Sequence, residues 1–248
     1  MRLITDDTKL PGKKKRKAES SGREEAELRL ALAAARQQNA FIDPQLAQEG
    51  LVDPTLMAES DPQAAAFIEE ELFPSVGFNP AGGQDASKYP WSAVTVSDLA
   101  SAFDPTFQGS ARHSDYIRRG FQGEGRYGAD KISKKTEFKP GDILFQGRKD
   151  SEGNPLGPQT YGQFRRDAKG KGEFGEEEGY GSHSDVIIGS GTEVVKDKDG
   201  NPIIDKKTGK PMTRTYYDVQ GGNIGDKLRV KKMYADELSR RYVGRLTQ

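Results

Sequence analysis

Pro90-Trp91-Ser92-Ala93-Val94-Thr95-Val96-Ser97-Asp98-Leu99-Ala100-Ser101-Ala102-Phe103 is the stretch on which the fold turns. Val96, Leu99, Ala100 and Phe103 recur at i, i+3, i+4 and i+7, which predicts a helix over 91–103 with one buried face. Pro90 suits the entrance of that helix, because a first-turn amide hydrogen has no partner to lose. Ser92 then falls in the first turn, where unpaired N–H groups and the helix dipole favour a developing negative charge. Such a serine serves equally as a nucleophile beside its oxyanion site or as an ordinary N-terminal cap.

Two later segments supply partners for a nucleophile. His183 opens the run Asp185-Val186-Ile187-Ile188, and strand alternation sets His183, Asp185 and Ile187 on one face. A histidine at the mouth of a buried strand can aim its ring into a cleft while the strand fixes its backbone. Gly221-Gly222-Asn223 follows the apolar run ending at Val219; its glycines permit close backbone approach, and Asn223 is placed to orient an imidazole. His113, the only other histidine, shares a helical face with Tyr116 and Ile117 if 110–121 is a helix capped by Ser110. It reads as a hydrogen-bonded wall residue, as a substrate-positioning residue, or as an alternative base. Glu176-Glu177-Glu178, just before His183, reads as a solvated loop.

The flanking sequence divides the chain. Residues 1–22 form a polar arm centred on Lys13-Lys14-Lys15-Arg16-Lys17; blocks of like charge repel and extend, so disorder is expected. That run is also the one candidate for nucleic-acid contact. Residues 23–75 read as a helical docking segment: a helix over 23–39 with Leu28, Ala31, Leu32 and Ala35 as its apolar stripe, then short pieces opened by Asp43-Pro44, Asp53-Pro54 and Asp61-Pro62. Residues 76–248 alternate Gly, Pro and aromatic residues with β-like runs at 142–145, 185–188, 192–195 and 213–219. Helices first and strands later is the α+β order.

Composition excludes several classes. The 38 basic and 38 acidic residues balance, so nothing steers the whole chain toward nucleic acid. With no cysteine, disulfides and thiolate metal sites are ruled out. No apolar run reaches the roughly 20 residues of a membrane span, and the N-terminus lacks the apolar core of a signal peptide.

Taken in order, Pro90-Trp91-Ser92-Ala93, Pro140-Gly141-Asp142-Ile143, Ser182-His183-Ser184-Asp185-Val186-Ile187 and Gly221-Gly222-Asn223 resemble the motifs of the CHAP/NlpC-type peptidoglycan hydrolases. The likeness covers about residues 86–235. It is nearest to a phage and bacterial group that reads Trp-Ser-Ala where the superfamily has Trp-Cys-Ala, and that carries a His-Ser-Asp-Tyr segment, here His113-Ser114-Asp115-Tyr116. The resemblance implies an α+β, papain-like domain with an antiparallel sheet and N-terminal helices. It implies Ser92 as nucleophile, His183 as base and Asn223 as orienting residue; His113, Trp91 and Asp185 beside them are expected to position substrate. A cell-wall amide hydrolase needing no cofactor or metal follows. The expected partners are peptidoglycan and, through residues 23–75, other virion proteins; the expected location is a virion. The competing expectation is a non-catalytic structural or ejection protein of a phage particle that keeps the fold for assembly.

Overall fold

In a computed structural model of the chain, the residues described are 12–41, 61–78, 91–174, 179–222 and 227–248, with side chains from residue 21 onward. The Asp43-Pro44 and Asp53-Pro54 units, Pro90, Glu176-Glu177-Glu178 and Asn223 lie outside them. Helix α1 (Gly12–Ala40) starts well before the expected Arg23, running back through the lysine-rich run. It is followed by α2 (Pro62–Phe67), a π-helical turn (Ile68–Leu72) and α3 (Phe73–Ser75). Asp61 caps α2 through Gln63 N, as the Asp-Pro signal implies.

Next come α4 (Ser92–Phe103) and α5 (His113–Gln122), then β1 (Gly128–Lys131) and β2 (Ile143–Gly147). Helix α6 (Tyr161–Asp167) follows, its start fixed by a capping box of Thr160 with Gln163. Strand β3 (Ser182–Val194) joins two predicted strands into one, and β4 (Thr213–Gly221) returns beside it. The chain then forms β5 (Arg229–Tyr234), α7 (Ala235–Arg241) and β6 (Gly244–Thr247).

The strands make one antiparallel sheet in the order β1-β6-β2-β3-β4-β5, which bears out the mixed α+β reading. Its two faces carry separate cores, as pleat alternation demands. Ile143, Phe145, Val186 and Leu246 pack with Ala26, Leu30, Val96, Leu99 and Tyr116 from α1, α4 and α5. Leu144, Ile187, Val219 and Met233 pack on the other face with Leu238 of α7. Pro140-Gly141-Asp142 turns into β2: Gly141 has φ +89°, and a Cβ there would lie 2.6 Å from the Phe103 ring, so only glycine fits.

The arm packs on its own domain, and with a different face from the one expected. Ala26, Leu30, Ala34, Gln37 and Phe41 are buried, whereas Leu28 and Leu32 of the predicted stripe are 60% and 63% exposed. Both rows have helical spacing; long-range polar contacts decide between them. Gln37 donates to Thr95 O and to Asp98, accepts from Gln220 on β4, and Arg36 pairs with Asp98 at 2.7 Å. Phe41 stacks on Trp91 with ring centroids 5.2 Å apart, beside Phe67, Ile68, Leu72 and Phe73.

Candidate active site

Two helix starts meet at the site. Ser92 opens α4 and His113 opens α5. The connection between them is clamped by Ser97, whose Oγ donates to Ser110 O and accepts from Ser110 N, both at 3.0 Å. Gly109 lets the loop come this close, since a Cβ there would stand 2.8 Å from the Ser97 Cβ. Ser110 in turn accepts from Arg112 N and donates to Asp115, which fixes the entry into α5.

These constraints bring Ser92 Oγ within 2.7 Å of His113 Nε2. Nδ1 of the same ring hydrogen-bonds the Tyr116 hydroxyl, one helical turn on. Ser92, His113 and Tyr116 therefore form a continuous buried chain. Burial, then the charges of His183 and Arg148, hold the His113 pKa well below its usual value, while the Asp185 carboxylate acts in the opposite direction. The ring is accordingly neutral at pH 7. Burial likewise raises the Tyr116 pKa, so its hydroxyl stays protonated.

Two tautomers satisfy this chain, and they differ in chemistry. With the ring proton on Nδ1, Tyr116 accepts it and the Nε2 lone pair receives the Ser92 hydroxyl proton. With the proton on Nε2, serine is only an acceptor and nothing is activated. A tyrosine holds the ring without adding negative charge, unlike the carboxylate of a Ser-His-Asp triad.

His183 is engaged elsewhere. Its Nε2 lies 3.0 Å from Asp185 Oδ1, two residues along β3, and the Tyr242 hydroxyl donates to Asp185 Oδ2. Burial alone would raise the Asp185 carboxyl, but the hydrogen bond and charge of His183, with the Tyr242 hydroxyl, leave it below the ordinary carboxylate range. The two imidazoles are neighbours, with ring centroids 5.8 Å apart. The expected pairing is thus corrected: the histidine bonded to Ser92 is His113, and His183 belongs to a second buried chain beside it. The shared face of His183 and Asp185 is as expected.

The remaining assignments fall out as follows. Trp91 is wholly buried against Phe41, so it is core and not a platform for substrate. Asp185 is buried, with its carboxylate bonded to His183 and Tyr242. Asn223 lies outside the described residues, but Gly222 before it shows the close approach expected: a Cβ there would lie 2.5 Å from Thr95 Oγ1 and 2.7 Å from the Trp91 ring. Tyr116 was named only as sharing a helical face with His113, and Tyr242 was not named at all. Tyr116 had a signal, the i+3 spacing from His113. Tyr242 had none, since it meets Asp185 only through the sheet.

A cavity of about 420 Å³ opens over Ser92 and His113, walled by Arg112, Arg148, Leu156 and the strap Gly179-Tyr180-Gly181. Ser92 borders it while exposing none of its own surface to solvent. Among the described residues, no group of three or more His, Asp or Glu side chains is disposed to hold a metal ion, and no helix is long and apolar enough to cross a membrane. No protein-family model, curated protein or solved structure matches the chain.

Proposed function

We propose that this chain is a serine-dependent amide hydrolase with a papain-like fold, acting on bacterial peptidoglycan and carried in a phage particle. The observation that carries the hydrolase reading is the 2.7 Å contact between Ser92 Oγ and His113 Nε2 at the start of a helix. The order of the four sequence motifs supplies the substrate class. In this reading His113 rather than His183 is the base, and Tyr116 holds its ring.

The reaction follows from the geometry. Ser92 Oγ attacks the scissile carbonyl carbon as its proton passes to His113 Nε2. In this reading the resulting oxyanion is received by N–H groups at the start of α4, where helix termini favour negative charge. His113 then gives that proton to the leaving amine nitrogen as the C–N bond breaks, leaving an ester on Ser92. Water attacks the ester with His113 again as base, and the serine is released. Neutral His113 is the form the first step needs, and the nearby Asp185 charge offsets part of the cost of its transient protonation.

A second reading, the non-catalytic phage structural or ejection protein, is favoured by one observation: Ser92 has no exposed surface. In that reading Ser92, His113 and Tyr116 are a satisfied buried polar chain. The exposed Leu28 and Leu32 would serve assembly with other virion proteins, and Lys13 to Lys17 would supply any nucleic-acid contact. Incubation with purified peptidoglycan separates the two. We expect soluble muropeptides from the wild-type chain and a loss of about 10²–10⁴-fold in Ser92→Ala. Absence of release by a correctly folded wild-type chain would favour the structural reading.

A further inference from the structure

The cavity over Ser92 has a charge of its own. Arg112 and Arg148 both border it, and among the described residues no acidic side chain does. Both are exposed, and neither makes an ion pair with a described residue.

Their backbones are held in place. Arg148 directly follows β2; its N–H donates to Gly181 O at 3.0 Å, and its carbonyl accepts from Leu156 N and the Gln159 side chain. Gly181 N donates back to Leu156 O at 2.8 Å, and a Cβ on Gly181 would lie 2.5 Å from the Leu156 Cβ, so the strap is tied to the loop that bears Arg148. Arg112 precedes α5, fixed by the Ser110 hydroxyl. Its side chain runs over Gly179, where a Cβ would stand 3.5 Å from Arg112 Cδ.

We propose that Arg112 and Arg148 form a carboxylate-binding subsite, so that the substrate is an amide carrying an anionic carboxylate next to the scissile bond. This deepens the hydrolase reading and rests on it. Two guanidinium groups facing one cavity offer forked donors matched to a carboxylate.

The test uses two peptides identical except for a carboxylate or a carboxamide on the residue flanking the scissile amide. Binding to the full-length Ser92→Ala protein is measured by calorimetry and, in parallel, kcat/KM with the wild type. We expect the carboxylate peptide to bind Ser92→Ala about tenfold more tightly. That preference should shrink in Arg148→Gln and vanish in the Arg112→Gln, Arg148→Gln double variant, with a steep loss as salt rises. Equal binding of the two peptides, or a preference unchanged in the double variant, overturns the subsite. A preference that persists in binding while the wild type turns over neither peptide upholds the subsite and overturns hydrolysis.

Discussion

His113 carries the pH dependence of this protein, because its neutral form is the one the fold holds. Its folded pKa lies below that of the unfolded chain, so the unfolded state takes up the proton first as pH falls from about 6.5. The stability this histidine contributes is present above about 6.5 and is lost on acidification through the window beneath it. Asp185, also depressed, adds a loss that sets in only as pH falls below about 3.9. We expect Tm to decline between pH 7 and pH 5, with a flatter decline in His113→Gln, and the acid limb of kcat/KM to lie clearly below 6.5. An acid limb at 6.5, with a Tm profile unchanged by His113→Gln, would mean that this imidazole is neither buried as described nor the base.

At the level of single elements, α1 decides whether residues 23–75 are an appendage or part of the domain. Leu30 is fully buried in the helix-facing core, and Leu28 and Leu32 point to solvent. Leu30→Ala should therefore cost about 2–5 kcal/mol, and Leu28→Ala less than about 0.5 kcal/mol, in urea unfolding. The reverse order would show that α1 uses the stripe first read from the sequence. That stripe was a reasonable inference, since Leu28, Ala31, Leu32 and Ala35 are as regular as the row actually buried. What chose between them was Gln37 reaching Gln220, a contact spanning most of the chain. Periodicity names the faces of a helix; only its partners say which one is covered. Helix α4 was legible as a helix, but not with one buried face as expected: Val94, Thr95 and Ser97 are buried as well as the stripe Val96, Leu99, Ala100 and Phe103.

Across the whole molecule, the ends of the elements matter more than their middles. The sheet brings Ser182 and His183 at the start of β3 beside the starts of α4 and α5, and the site lies where those three ends converge. Ser92, His113, His183 and Asp185 were all legible as residues worth attention, because the chain has only two histidines and all four residues stand at or near element starts. Their pairing was not legible. Both histidines were available to Ser92, and the choice depended on the Ser97–Ser110 clamp that folds α5 back onto α4 and on Tyr242 drawing Asp185, with His183, into a chain of its own. The arginines of the cavity were equally hidden, since Arg112 and Arg148 approach it from unrelated loops.

The question that matters most is which imidazole serves Ser92, and the rate at which a fluorophosphonate acylates that serine answers it, read by mass spectrometry on the wild type, His113→Ala and His183→Ala. We expect modification of Ser92 in the wild type, a rate lower by about 10²–10⁴-fold in His113→Ala, and less than a tenfold change in His183→Ala. An unreactive wild-type Ser92, or a rate abolished by the change at 183 and untouched by the change at 113, would contradict the site described.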